Sequence, residues 1–261
     1  MKSGNYTYII FLAATLFVCA CSNISEEERL IYVKPAAVKR AVLIEDFTGQ
    51  RCINCPKATD EIKNLQEQYG EDAVIAVGIH GGPLAFYTNG NFLGLRTETG
   101  DQYYNHWNLE YQPIGCIDRI GIYDFSLWNG IVRNELLKTA PVDIVVDADI
   151  ADDQITMETI VTGIDGNTSG KLQLWLIEDE ITAFQLMPDG TRNDGYVHHH
   201  VFRTTVNGLW GEDINVNEGE TVVREHRLNL QDDWQTGHLS IVAFVYIETG
   251  IQQVTSVKLK Q

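Results

Sequence analysis

The chain has 261 residues, with 36 Asp and Glu against 19 Lys and Arg, and a formal net charge of −17. A surface of that sign repels a phosphate backbone, so nucleic-acid binding is set aside. The length leaves room for two modest domains with separate cores.

At the N-terminus, Lys2 precedes an apolar run from Tyr8 to Val18, too short for a comfortable membrane span, which closes as Val18-Cys19-Ala20-Cys21. That closing sequence resembles a bacterial lipobox with cleavage before Cys21. Residues 1–20 then form a lipoprotein signal peptide, Cys21 carries lipid, and residues 21–35 are a polar tether. An ordinary secretion signal or an anchor helix is the alternative. Glu26-Glu27-Glu28 either solvates the tether or resembles the acidic tract that sorts some Gram-negative lipoproteins to the cell surface. Of the 5 cysteines, Cys52, Cys55 and Cys116 remain as thiols outside the cytoplasm, where a disulfide persists.

Ala41 to Phe47 reads as a buried strand, and Cys52-Ile53-Asn54-Cys55 comes next at a helix start. Pro56 suits the first helical turn, Ala58, Ile62, Leu65 and Tyr69 recur at helical spacing, and Gly70 ends the run. Two thiols so spaced serve a redox couple, a static staple or a zinc site. The helix N-terminus and Arg51 favour a thiolate at Cys52. Ala73 to Ile79 is a continuous apolar run suited to a parallel strand. His80 to Gly100 reads as an insertion, with Thr99-Gly100-Asp101 opening a short helix to His106. Pro113 precedes another strand that carries Cys116, a small hydrophobe there. Ser126 is the expected N-cap of a helix from Leu127 to Lys138. Strand–helix alternation of this kind argues for an α/β layer fold.

The pattern changes at Pro141. Val142, Ile144, Val146 and Ala148 alternate with Asp143, Val145, Asp147 and Asp149, a period of two. Similar runs cover Ile155–Val161, Leu172–Ile177, Tyr196–Phe202, Thr221–Leu228, Leu239–Ile247 and Val254–Leu259, which predicts an antiparallel sandwich. Within Tyr196–Phe202, His198 and His200 would share a strand face as surface or packing residues. From Pro141 onward there are 7 basic and 20 acidic residues, against 11 and 16 between Cys21 and Ala140.

Asp46 six residues before Cys52, the Cys-x-x-Cys helix start and Pro113 before a strand together resemble the thioredoxin fold. The spans from Phe47 to Pro56 and from Gln112 to Arg119 also resemble bacterial lipoproteins related to a twenty-eight-kilodalton outer-membrane protein. The resemblance implies an α/β thioredoxin-like N-terminal domain over residues 36–140, followed by an all-β immunoglobulin-like sandwich over residues 141–261. It implies a Cys52–Cys55 disulfide, with Cys52 as the attacking thiol and Cys55 resolving. Asp46 would be a buried carboxylate accepting the Cys55 proton, and Pro113 a cis residue beside the pair. Arg51 stands where that fold usually has Trp, and Ile53-Asn54 between the cysteines lacks the proline or histidine of its well-studied reductases and oxidases, so the redox direction does not carry over.

The expected function is thiol–disulfide exchange on envelope proteins or peptides, without cofactor or metal and with a separate electron partner. The protein is expected at the cell envelope, anchored through lipid on Cys21 in the outer membrane. The alternative is a non-enzymatic binding or assembly lipoprotein in which the Cys52–Cys55 disulfide is structural.

Overall fold

The computed structural model describes residues 38–260, so the expected signal peptide, the expected lipid site at Cys21 and the expected tether lie outside the described residues. Strand β1 (Val42–Thr48) is buried along its whole length and leads through the cysteine turn into helix α1 (Cys55–Tyr69). Pro56 sits in the first turn of α1, and Gly70 ends the helix at φ 101°, its N–H donating to the Gln66 carbonyl at 2.8 Å. Strand β2 (Val74–His80) returns parallel to β1, with Val42 opposite Val74.

Helix α2 (Glu98–His106) starts at Thr97, whose hydroxyl accepts from Gly100 N–H at 2.9 Å. Gly100 is required there, because a Cβ would lie 2.6 Å from the His80 carbonyl oxygen. Strand β3 (Ile114–Ile117) runs antiparallel to β1, and β4 (Gly121–Tyr123) hairpins onto β3. Asp124, rather than Ser126, supplies the next cap. Its carboxylate accepts from Ser126 N–H and Oγ–H, and helix α3 spans Trp128–Leu136 after a single 3₁₀ turn.

Ten more strands complete the chain: β5 (Val142–Ala151), β6 (Gln154–Gly163), β7 (Asn167–Glu178), β8 (Ile181–Leu186), β9 (Arg192–His198), β10 (Val201–Thr205), β11 (Glu212–Asn217), β12 (Thr221–Asn229), β13 (Leu239–Ile247) and β14 (Gly250–Lys258). Along β5, Val142, Ile144, Val146 and Ala148 face inward and Val145, Asp147 and Asp149 face out. Asp152 and Asp153, both at positive φ, close the two-residue turn to β6.

The expected architecture, an α/β thioredoxin-like domain followed by an all-β immunoglobulin-like sandwich, is not what the chain forms. Strands from both halves join one nine-stranded mixed sheet, ordered β14-β13-β7-β10-β2-β1-β3-β4 with β11 on β7. The join is made where β10 lies parallel to β2, Gly78 N–H donating to the His200 carbonyl at 2.8 Å. The described residues all belong to one compact, mainly β unit.

Side-chain packing explains why no separate α/β domain exists. One face of β1 and β2 meets α1 and α3, where Ala58, Ile62, Leu65, Trp128 and Val132 close on Val42, Ile44 and Ala76. The other face supplies Leu43, Phe47, Val77 and Ile79 to a core completed by Trp175 and Ile177 of β7, Phe202 of β10 and Phe244 of β13. Left alone, the N-terminal strands would expose that second face. A three-stranded sheet, β12-β6-β5, covers the far side of β7 and β13 through a further core containing Ile144, Met157, Leu174 and Ile241. Strands β8 and β9 form a separate hairpin.

The expected Tyr196–Phe202 strand is two strands in two sheets. His200 takes φ 54° between β9 and β10, so His198 and His200 do not share a strand face.

A shared core has consequences for truncation and for substitution. A fragment ending at Ala140 loses Trp175, Phe202 and Phe244, and should give no cooperative urea transition by circular dichroism. In the intact protein, Trp175→Ala should cost about 3–5 kcal/mol, read as a lowered urea midpoint at unchanged m-value.

Candidate functional site

The end of β1 and the start of α1 place the two cysteines together, and Cys52 and Cys55 are disulfide-bonded. The turn is held by its own backbone, with Cys52 N–H donating to the Gly49 carbonyl at 2.9 Å and Cys55 N–H to the Cys52 carbonyl at 3.3 Å. Both cysteines are only 2% exposed.

Two segments seal the turn. From the β8–β9 hairpin, the Gln185 amide donates to the Cys52 carbonyl at 2.9 Å and the Gly49 carbonyl at 3.4 Å, while Leu186 N–H donates to the Gln50 carbonyl at 2.9 Å. From the segment after β2, the Leu84 carbonyl accepts from Arg51 N–H at 2.9 Å. A Cβ on Gly49 would lie 2.6 Å from that carbonyl, which fixes glycine at this close approach. The fully buried Gln50 ties both segments together, donating to the Leu93 and Phe184 carbonyls and accepting from Leu95 N–H. The Arg51 guanidinium lies 5.6 Å from the Phe86 ring centre, and Phe86, Phe92 and Phe184 pack ring against ring beside it.

Behind the disulfide is a cavity of about 320 Å³ whose walls include Asp46, Cys55, His80, Gln185, Tyr196 and His198. Asp46 is 3% exposed, and its Oδ1 has no hydrogen-bond partner. Burial without a counter-charge pushes its carboxyl up to about 7. His80 is 3% exposed, with Nδ1 unpartnered; burial first, then His198 and Arg203, hold its pKa well below the ordinary histidine value. Its ring centre lies 5.3 Å from that of His198. Burial also pulls His198 down to about 4, so both rings are neutral at pH 7.

Of the residues singled out from sequence, Asp46 and Cys55 share the cavity wall, whereas Cys52 and Pro113 do not line it. The Gln112–Pro113 peptide is cis, and the Gln112 amide donates to the Thr48 and Gly81 carbonyls at 2.6 and 3.0 Å. Gly115, two residues on, sits opposite Asp46 in the β1–β3 ladder. Cys116 pairs in register with Glu45 and is a buried free thiol in the shared core, its pKa raised well above the ordinary value first by burial. His199 and His200 lie near Asp179, with His200 Nδ1 3.1 Å and His199 Nδ1 3.7 Å from its Oδ1. Among the described residues no group of three or more His, Cys, Asp or Glu is placed to hold a metal ion.

Sequence reasoning did not assign His80, Tyr196, His198, Gln50 or Gln185 to the site. His80 had one available signal, a polar residue closing an otherwise apolar buried strand. Gln185 had none, since its partner carbonyls are 133 and 136 residues away.

Residues 100–261, more than half of the chain, match the family of the outer membrane protein Omp28. The matched span excludes the cysteine pair. Among solved structures, HBP35 of Porphyromonas gingivalis is 16% identical with a TM-score of 0.68, covering 86% of this chain and 77% of its own. That likeness concerns fold, and it extends over most of the chain, across both halves of the shared sheet. A domain of the outer membrane lipoprotein Omp28 from Porphyromonas gingivalis is 24% identical with a TM-score of 0.34, covering 46% of this chain and 89% of its own. No curated protein matches the chain.

The Asp46 carboxyl has a measurable thermodynamic signature. Its proton is bound up to about pH 7 in the folded chain but only to about 3.8 in the unfolded one. The native state therefore holds the extra proton between those values, and stability is lost as pH rises through that window. Asp46→Asn removes the loss. At pH 8 it should be more stable than the wild type by about 2–4 kcal/mol, shrinking toward zero at pH 4, as read from urea midpoints.

Proposed function

This chain belongs to the outer membrane protein Omp28 family, and on that premise we propose that it is a lipid-anchored binding or assembly module of the cell envelope with a structural Cys52–Cys55 disulfide. Family membership puts the protein at the outer membrane. The anchor would be the lipid on Cys21, and Cys21→Ala should release the protein from the membrane fraction.

The observation that carries the structural role of the disulfide is its enclosure. Both cysteines are 2% exposed, beneath a hairpin that donates two side-chain and one main-chain hydrogen bonds into their turn. A disulfide so placed pins the start of α1 to the end of β1. It also holds the platform on which the β8–β9 hairpin rests.

A second reading is favoured by one specific observation: Asp46, an unpartnered carboxyl, shares the cavity wall with Cys55. In that reading a reduced Cys52 thiolate attacks a partner disulfide, forming a mixed disulfide and releasing one partner thiolate. Cys55 then passes its proton to Asp46 and attacks Cys52 Sγ, releasing the second partner thiolate. Two electrons move from this dithiol to the partner, and an external donor restores them. Pro113 would then present backbone to the partner segment.

Trapping separates the two. Cys55→Ser in the full-length protein should accumulate no mixed disulfide at Cys52 in envelope extracts if the pair is structural; an abundant trapped partner overturns the structural reading in favour of exchange. Enclosure predicts slow reduction of the wild-type bond by dithiothreitol. Gln185→Ala, which removes one hydrogen-bonding side chain worth about 1 kcal/mol, should speed reduction roughly fivefold.

A further inference from the structure

The cavity behind the disulfide has in its wall an unpartnered acceptor, Asp46 Oδ1, and an unpartnered ring nitrogen, His80 Nδ1, which accepts in the Nε2–H tautomer of the neutral ring. Both atoms are buried, and a buried orphan acceptor costs free energy until a donor meets it. Tyr196 and His198, whose rings lie 4.8 Å apart, supply an aromatic wall. Acidic residues, Asp60 and Glu71, stand at the rim with one base, Lys63. The Lys63 side chain is 75% exposed and reaches toward Glu67 at 3.9 Å, so it does not neutralise Asp46. No anionic ligand fits such a wall. A donor-rich cation does, because it satisfies both acceptors, gives Asp46 a counter-charge and meets ring faces.

We propose that this cavity binds an alkylammonium or guanidinium group, with Asp46 as its counter-ion and His80 as a second acceptor. The proposal rests on the binding-module reading and names the chemistry recognised. At about 320 Å³ the cavity holds a group the size of a lysine or arginine side chain. The source is either a basic side chain of a partner polypeptide or a free small amine.

Binding is coupled to protons. A bound cation requires ionised Asp46, so below about pH 7 the ligand displaces a proton and affinity falls with pH. The other ionisable groups lining the cavity are Asp60 and Lys63 on α1, Glu71 beyond it, His80 on β2, and Tyr196 and His198 on β9. His199 and His200 border the same cavity. His198 titrates near 4, below the window.

The test is calorimetric titration of detergent-solubilised full-length protein with n-butylamine, agmatine, n-butanol and a capped pentapeptide with a central lysine or arginine. Butylamine or agmatine should bind and n-butanol should not. Affinity should drop about tenfold from pH 6 to pH 5, by linkage to one proton. Asp46→Asn should weaken the cation at least tenfold and flatten that pH dependence, whereas His199→Gln/His200→Gln should keep it. A peptide binding tighter than the free amines assigns the site to a polypeptide partner; the reverse assigns it to a small amine. Equal binding of n-butanol, undiminished binding by Asp46→Asn, no binding by any cation, or loss of the pH dependence in the histidine variant overturns the proposal. Mixed-disulfide trapping reads out separately, so failure of the binding-module reading is distinguishable from failure of the cation site.

Discussion

The whole molecule is organised around one buried guanidinium. Arg119, just past β3, donates from Nε to the Glu45 carboxylate of β1 at 2.7 Å, both side chains being nearly inaccessible. Its carbon lies 4.4 Å from the Tyr246 ring centre, 4.8 Å from Phe244 and 5.5 Å from Trp175 and Trp210. Burial disfavours the charge, but Glu45 more than offsets this, and the aromatic faces replace the remaining lost hydration. Three of those rings belong to β7 and β13 and the fourth precedes β11. The ion pair from the first strands is therefore desolvated by the later ones. Removing one partner would strand the other charge in the core, a loss of about 3–5 kcal/mol.

Neighbouring contacts repeat the same pattern. Asp118 accepts from Leu43 N–H at 2.8 Å and from Arg40 at 2.7 Å, and its own carbonyl accepts from Ile251 N–H of β14 at 2.7 Å. Arg40 also donates to the Ile251 and Gln252 carbonyls. The Gln253 side chain spans the Ala41 N–H and the Lys39 carbonyl. β14 thus returns against the start of β1, and the position of β1 is set from both ends of the chain. Since β1 carries Asp46 and leads into the cysteine turn, the site inherits its geometry from this stitching. The hairpin that covers the cysteines comes from the later half as well, so the cavity exists only in the assembled unit.

Much of the local structure was legible. The apolar runs of β1 and β2, the proline-to-glycine extent of α1 and the alternation along β5 come from spacing alone. The fold class was misread because periodicity reports local faces and says nothing about which strands share a sheet. A signal was present: Leu174 and Leu176 of β7 face one core while Trp175 and Ile177 face another, as a strand covered on both sides must. Strands β4, β8 and β11 fall outside the predicted runs: β4 has three residues, β8 buries Ile181 and Ala183 beside the polar Gln185, and β11 buries only Ile214 and Val216. The nearness of Asp46 and Cys55 follows from the thioredoxin resemblance, not from spacing: Asp46 lies in β1 and Cys55 opens α1. The histidines and Gln185 arrive through non-local pairing, which no spacing encodes.

The central claim is that β1 and β2, which frame the cysteine turn, and the later strands are one cooperative structure, locked through Arg119. Native-state hydrogen exchange tests it most directly. Amides of β1 around Asp46 and of β7 around Trp175 should exchange by one global opening, with the same free energy and the same urea dependence. If β1 and β2 instead open at a clearly lower free energy while β7 and β13 stay protected, the first strands form their own unit, which contradicts that claim.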